Sequence, residues 1–163
     1  IGFLGYTDPE TPYAYAKEYD RFTTRPAKAT AERCRDDILA LKQKVDRVVV
    51  SMHSGIEYET ATSPRQIEFG HFLIDAGANI VAGHHPHVQQ EPEWYRDGAI
   101  IYSMGNFVFD QWSRPLTRVS RLYRALVEKG RIHSLEYLPL EIEQGTWIVK
   151  PVSDRFVPVP RQK

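Results

Sequence analysis

Three histidines in four residues stand directly after an apolar run that ends in a glycine: His84, His85 and His87 follow Gly83. Imidazole is the commonest side-chain metal ligand. In an extended segment side chains alternate with period two, so His85 and His87 would project to one side and His84 to the other. We therefore interpret His85 and His87 as metal ligands, with a histidine-rich surface loop as the alternative. His84 is expected to pack, or to hydrogen-bond a ligand.

His53 ends a second apolar, β-branched run at residues 46–52. If the two runs are neighbouring parallel strands, their carboxyl ends meet at one edge of the sheet, where α/β proteins bind ligands. We therefore expect His53 to be a third metal ligand. Glu57 lies four residues further on. It is either a carboxylate that orients a histidine or transfers a proton, or a solvated loop residue, and its spacing favours neither.

Other polar residues carry weaker signals. Asn106 follows a third apolar run and either hydrogen-bonds at the same site or occupies a turn with a left-handed backbone. His71 is expected to pack on a helix, and His133 is given no role. Because the 21 basic and 21 acidic residues balance, four arginines are expected to be solvated rather than to line an anionic cleft: Arg114, Arg118, Arg121 and Arg124.

The elements that position these side chains follow from hydrophobic periodicity. Continuous apolar runs predict buried parallel strands at residues 1–6, 46–52, 79–82 and 99–103. An amphipathic helix is predicted over about residues 28–44. A second helix begins with Ser63 as N-cap, Pro64 at its first position and Gln66 completing a capping box, and Gly77 is expected to end it. Strand, helix and strand in this order form a βαβ unit, for which a right-handed crossover is expected.

The remainder of the chain has a different pattern. Residues 118–128 and 131–138 predict a hairpin around Lys129-Gly130. Residues 136–142 mix apolar and acidic side chains, and one more short strand is expected at 146–152. Residues 7–26 read as an irregular surface segment, and the proline-rich residues 157–161 cannot form a central strand. A parallel βα part followed by antiparallel strands predicts a layered α/β domain.

Length and composition narrow the possible functions. A chain of 163 residues suggests one domain. Zero net charge argues against a general nucleic-acid or anionic-membrane binder, so no nucleic-acid partner is expected. The single cysteine, Cys34, excludes an internal disulfide and a cysteine-based zinc site, and its helical spacing predicts a buried apolar residue. The sequence contains no candidate membrane helix.

Four motifs together resemble a known family. They are residues 53–58, Pro64 with Gln66, residues 76–87 and residues 102–111. In this order they resemble the C-terminal half of the CapA family of bacterial capsule synthesis proteins, which are linked to poly-γ-glutamate capsules. The resemblance runs from about residue 1 to residue 111 and becomes less clear beyond it.

This resemblance implies a calcineurin-like metallophosphoesterase fold, an α/β/β/α sandwich around a dinuclear metal site. His53 matches the histidine that follows one strand in that superfamily, and His85 and His87 match its Gly-His-x-His element. The family's earlier motifs, an aspartate at a strand end and an Asn-His element, have no counterpart here. Because Ile1 also opens directly on an apolar run, we expect residues 1–163 to be the C-terminal part of a single domain whose N-terminal half is missing from this chain.

The function implied is that of a CapA-type capsule synthesis protein, a metal-dependent, phosphoesterase-like hydrolase in capsular polymer biosynthesis. The full-length protein would hold two divalent ions (Zn, Mn or Fe), with His87 and Glu57 as catalytic groups and with an anionic polymer or a phosphoester as substrate. Whether the chain is an enzyme stays open. The alternative is a non-catalytic module that binds an anionic polymer or another capsule synthesis component, and a third possibility is a purely structural histidine cluster. The family suggests an extracytoplasmic position in the bacterial cell envelope.

Overall fold

The computed structural model describes residues 1–11, 26–128 and 131–161. In chain order the elements are β1 (Gly2–Thr7), α1 (Ala31–Lys42), β2 (Val48–His53), α2 (Pro64–Ala76), β3 (Ile80–His84), β4 (Gln89–Gln90), β5 (Glu93–Tyr95), β6 (Gly98–Ile101), β7 (Ser103–Met104), a 3₁₀ helix (Pro115–Arg118), β8 (Val119–Glu128), β9 (Arg131–Ile142), β10 (Val149–Pro151) and β11 (Val157–Pro158).

The four predicted apolar strands form the central sheet, in the order β1-β2-β3-β6, with β5 at the far edge. The first four are parallel and β5 is antiparallel to β6. The predicted strand at 99–103 is divided in two, because Ser103 and Met104 leave this sheet and pair with Gln89 and Gln90 instead. The register places His53 directly beside His84, so the ends of β2 and β3 coincide.

Both predicted helices are confirmed, with sharper boundaries. Helix α1 starts three residues later than expected, because Lys28 forms a parallel bridge to Thr7 and Thr30 caps the helix. Helix α2 has the predicted capping box of Ser63 and Gln66, and it ends at Gly77 with a left-handed φ of 113°. Glycine suits this helix end because it reaches positive φ without a Cβ clash.

The two helices pack on one face of the central sheet. Apolar residues of both helices and of β2, β3 and β6 form the larger core cluster. Cys34 is fully buried in it, as predicted, and burial raises the pKa of its thiol to about 11. An apolar, protonated thiol of this kind contributes packing rather than nucleophilic chemistry.

An antiparallel sheet covers part of the opposite face. The predicted hairpin of β8 and β9 is confirmed, and β9 also pairs with β10 and β11. The second strand of this hairpin, predicted at 131–138, extends further, to Ile142. A smaller core cluster joins the two sheets, where Ala99 and Ile101 of β6 meet Ile132, Leu135 and Val159.

The resulting order of layers is helices, central sheet and antiparallel sheet, which confirms the predicted α/β class. The antiparallel layer does not reach across to β1, where Phe3 is 72% exposed. Across the described parts of the chain, neither helix is long and apolar enough to cross a membrane.

Two predictions fall wholly or partly outside the described residues. The turn predicted at Lys129-Gly130 lies outside the described residues. Of the irregular segment predicted at 7–26, Thr7 belongs to β1, residues 8–11 form a turn closed by a hydrogen bond from the Thr11 amide to the Asp8 carbonyl, and residues 12–25 are not described.

Candidate histidine site

Four imidazoles meet at the carboxyl ends of β2 and β3. The His53 ring centroid lies 5.0 Å from that of His84 and 4.6 Å from that of His85. The His85 and His87 centroids are 6.2 Å apart. The structure therefore brings together the three residues predicted as metal ligands, and it places His84 among them. An open groove of about 370 Å³ runs beside His53 and His84.

The backbone of this cluster differs from the extended segment that the spacing suggested. Strand β3 ends at His84, and the next histidine, His85, has a φ of 116°. His87 is also left-handed, with a φ of 61°. The expectation that His84 and His85 project to opposite sides is therefore wrong, since both rings contact His53. Left-handed backbone at non-glycine residues costs of the order of 1–3 kcal/mol each and is concentrated at functional sites.

His84 forms a hydrogen-bonded chain with its neighbours. Its Nδ1 lies 3.1 Å from Nδ1 of His53, and its Nε2 lies 3.1 Å from the Ser51 hydroxyl oxygen. Two proton arrangements satisfy this chain, because each neutral imidazole has one donor and one acceptor nitrogen. Only the arrangement in which His53 Nδ1 donates to His84 leaves the Nε2 lone pair of His53 free for a ligand.

His85 supplies the clearest unsatisfied group. The residue is buried, and its Nε2 atom has no hydrogen-bond partner. Burial, together with the neighbouring imidazoles of His53, His87 and His84, lowers the pKa of His85 to about 4. The ring is therefore neutral at physiological pH. A buried polar atom without a partner is rare in proteins and indicates a missing ligand, ion or water.

The partly buried imidazoles of His84 and His53 are biased in the same direction. Burial first, and then the charges of His53 and His87, lower the pKa of His84 to about 4. Burial and His87 also lower the pKa of His53. A metal ion binds only the neutral form of imidazole, so these environments favour ligation over protonation.

Asn106 fixes the ring of His87. Its side-chain amide donates to the Thr117 carbonyl at 3.0 Å and to Oε1 of Gln111 at 3.3 Å, so its oxygen must face His87. That oxygen lies 2.8 Å from His87 Nδ1. His87 therefore donates through Nδ1–H and keeps a lone pair on Nε2. Such an outer hydrogen bond orients a metal-binding histidine and sets its tautomer.

Glu57 approaches the same ring. Its Oε1 lies 3.9 Å from Nε2 of His87, beyond hydrogen-bonding distance, and its side chain is about half exposed. This placement brings the predicted carboxylate to the edge of the site.

Sequence reasoning missed the aromatic wall of the site. Tyr58 stacks on His87 at a centroid distance of 6.2 Å, and Phe109 packs on it at 5.1 Å. The guanidinium of Arg114 lies 4.2 Å from the centroid of the Tyr58 ring. Tyr58 and Phe109 belong to the motifs around His53 and Asn106, and those motifs were the available signal.

The remaining histidines lie elsewhere. His71 stacks on Tyr95 at 3.8 Å and its Nε2 lies 2.9 Å from Glu93, in agreement with a packed helix residue. His133 is exposed and lies 4.0 Å from Glu128.

The arginines expected to be solvated behave differently from one another. Arg121 pairs with Glu91 and is largely buried, and Arg124 pairs with Glu136. For Arg121 the expectation of a solvated side chain is therefore wrong. The Nε atom of Arg118 is buried without a hydrogen-bond partner, so this side chain is not fully solvated either.

The donor set fits part of a metal centre. Neutral imidazoles with a free His85 Nε2 are the chemistry that Zn²⁺, Mn²⁺ or Fe²⁺ accepts. Within residues 1–11, 26–128 and 131–161, however, no group of three or more His, Cys, Asp or Glu side chains has an arrangement that could hold a metal ion. The described residues therefore do not form a complete metal site by themselves, although His53, His85 and His87 carry donor atoms whose chemistry suits one.

Fold and site together define an α/β protein with a histidine cluster at the carboxyl ends of its parallel strands. Residues 1–111 match the family model described as bacterial capsule synthesis protein PGA_cap. The match covers more than half of the sequence, and the chain belongs to this family.

Named relatives agree. The chain is 44% identical to "Capsule biosynthesis protein CapA" of Bacillus anthracis over 113 residues, which is 69% of this chain and 26% of the relative. It is 38% identical to "PGA biosynthesis protein CapA" of Bacillus subtilis over 147 residues, 90% of this chain and 37% of the relative. A "Probable polyglutamine synthesis accessory protein" of Mycobacterium tuberculosis is 31% identical over 156 residues, 88% of this chain and 41% of the relative. The chain thus spans less than half the length of these relatives.

Proposed function

We propose that the chain forms part of a metal-dependent, phosphoesterase-like hydrolase that acts in the synthesis of an anionic capsular polymer. The observation that supports this most directly is the buried, partnerless Nε2 of His85 beside His53. The relatives' names, which refer to capsule and PGA biosynthesis, supply the process.

We further propose that the architecture belongs to a calcineurin-like α/β/β/α sandwich. Helices on one face of a parallel sheet, with an antiparallel sheet on the other, correspond to three of its four layers. The additional metal ligands would come from parts of the full-length protein outside these 163 residues, in keeping with the 26–41% of each relative that the chain spans.

Within the site, His53, His85 and His87 would hold the metals, about two in the full-length protein. A bound divalent ion supplies Lewis acidity and a water of lowered pKa. His85 would present its buried Nε2, which has no hydrogen-bond partner among the described residues. His87 presents Nε2 because Asn106 occupies its Nδ1–H. Glu57, beside His87 and open to solvent, is placed to accept or return a proton.

The test compares wild-type full-length protein with a His85→Ala variant and a His133→Ala control, which alters an exposed histidine outside the cluster. We expect about two transition-metal ions per wild-type molecule and hydrolysis of an aryl phosphate. His85→Ala should lose at least one metal equivalent and the activity, while His133→Ala retains both. Metal content and turnover are measured on gently purified protein. Wild-type protein without metal, or unchanged metal content in His85→Ala, would contradict the proposal.

A second function is favoured by one observation: the described residues lack a complete three-ligand group. The chain would then be a non-catalytic module that binds an anionic polymer, consistent with the word "accessory" in the name of the mycobacterial relative. Polymer binding that survives both His85→Ala and His87→Ala, without any hydrolysis, would support this alternative.

A further inference from the structure

The segment that follows Asn106, residues 107–117, lines one side of the histidine site. Asn106 donates to Gln111, and the Gln111 side-chain amide donates to the Tyr58 hydroxyl oxygen at 3.2 Å. The Thr117 hydroxyl donates to the carbonyl oxygens of Gln111 and Arg114. These hydrogen bonds join the segment to the loop that carries Glu57 and Tyr58, so its side chains have fixed positions relative to His87.

Arg114 is the cation that this segment presents. Its guanidinium lies over the Tyr58 ring at 4.2 Å, and the same ring stacks on His87. At most the Tyr58 ring therefore lies between the Arg114 guanidinium and the His87 imidazole. Stacking occupies the face of a guanidinium and leaves its in-plane N–H groups free to donate.

Arg114 also differs from neighbouring arginines in its charge environment. Arg65, Arg121 and Arg124 each lie within 3.0 Å of a carboxylate oxygen. In the described part of the chain, no carboxylate forms an ion pair with Arg114, and the nearby Glu57 approaches His87 instead. An exposed guanidinium, oriented by stacking and left without an anion, is suited to bidentate recognition of an oxyanion.

We propose that Arg114 binds an oxyanion of the substrate handled at the histidine site, either a phosphate or a carboxylate. The assignment deepens the proposed function and rests on it. Arg114 would thus select anionic substrates and hold them against the stacked rings of Tyr58 and His87. A lysine at this position would keep the charge but lose the planar, stacked geometry.

The experiment measures binding rather than turnover, by isothermal titration of the full-length protein with two probes. Inorganic phosphate represents the phosphoryl source of the oxyanion, and a short glutamate oligomer represents the carboxylate source. The variants are Arg114→Gln, Arg114→Lys and the control Arg155→Gln, which alters an exposed arginine whose hydrogen bonds are made only by its backbone.

Arg114→Gln should lower the affinity for one or both probes by roughly tenfold, the scale of one charge-assisted hydrogen-bonded contact. Arg114→Lys should recover part of that loss, and Arg155→Gln should match wild type. The probe whose affinity falls identifies the source of the oxyanion. Unchanged affinity for both probes in Arg114→Gln, with normal metal content and aryl-phosphate hydrolysis, would overturn this inference alone. Wild-type protein that binds neither metal nor probe would overturn both proposals.

Discussion

At the scale of single residues, the site is defined by backbone strain and by proton positions. His85 and His87 adopt left-handed conformations that non-glycine residues rarely occupy. The turn is held by hydrogen bonds from the Ser54 amide to the His84 carbonyl and from the Tyr58 amide to the Pro86 carbonyl. The imidazoles stay neutral because burial lowers the pKa values of His84 and His85 to about 4.

The hydrogen bond between His87 and Asn106 gives a prediction at this scale. Replacing Asn106 by leucine removes the acceptor that holds Nδ1–H, so the His87 ring is free to rotate and to change tautomer. We expect a loss of about 10–100-fold in metal affinity, the usual effect of losing such an outer partner. The measurement is competition with a metal chelator in the full-length protein.

Gln111→Met is the matched comparison, because it removes a partner of Asn106 and leaves the His87 contact in place. Its metal affinity should remain within a few-fold of wild type. If Asn106→Leu and Gln111→Met have the same affinity, the tautomer argument is wrong.

At the scale of elements, the site depends on how closely β3 approaches the segment after β6. Gly83 lies one residue before the histidines, and a Cβ atom there would stand 2.1 Å from the Tyr102 carbonyl oxygen and 2.7 Å from that of Ile101. Both are backbone atoms that cannot move aside cheaply. The glycine therefore sets how closely the end of β3 approaches the segment after β6.

Gly83→Ala should consequently destabilise the protein by about 3 kcal/mol or more, since overpacking against backbone forces the strands apart. Gly5→Ala is the control: it lies in the same sheet, and no atom comes within 4 Å of its added Cβ. That variant should change the free energy of unfolding by less than about 1 kcal/mol. Urea unfolding of the three proteins measures the difference, and equal stability of the two variants would refute the packing argument.

Elements long enough to show a repeated apolar pattern were predictable from the sequence, and short elements were not. Strand β5 was missed although Asp97-Gly98 is a hairpin signal, because three residues are too few to show a period. The strand predicted at 131–138 ended too early, before Pro139, which lacks a backbone donor but lies within β9. The clustering of His53 with His85 was predictable, because both lie at the carboxyl ends of neighbouring parallel strands. The positive φ of His85 did not, because the turn after β3 is fixed by tertiary contacts.

At the scale of the whole molecule, an ion pair joins β1 to α2. Asp8 is buried, and both of its carboxylate oxygens accept hydrogen bonds from Arg65 at 2.8 Å. Burial alone would raise the pKa of Asp8, but the hydrogen bonds from Arg65 and from the Glu10 backbone outweigh it and lower the pKa. The pair links the first strand to the helix that precedes the histidine turn.

Asp8→Asn should therefore lower the free energy of unfolding by about 1 kcal/mol at neutral pH, a modest value because Arg65 is partly exposed. A carboxylate with a lowered pKa in the folded state contributes stability above its unfolded pKa of about 3.9, and that contribution is lost as the pH falls through the folded value. The gap between wild type and variant should shrink below pH 4. Asp154→Asn, at an exposed carboxylate, serves as the control in pH-dependent unfolding, and a gap that stays as large in acid as at neutral pH would contradict the assignment.

The exposed ring of Phe3 on β1 has a consequence for handling the protein. Among the strands of the described sheet β1 pairs only with β2, and its other edge is bridged at Thr7 by Lys28. A strand with free backbone groups beside an exposed aromatic ring is a template for another strand. The free part of the β1 edge beside Phe3 is thus the place where copies of this chain would associate edge to edge and aggregate at high concentration.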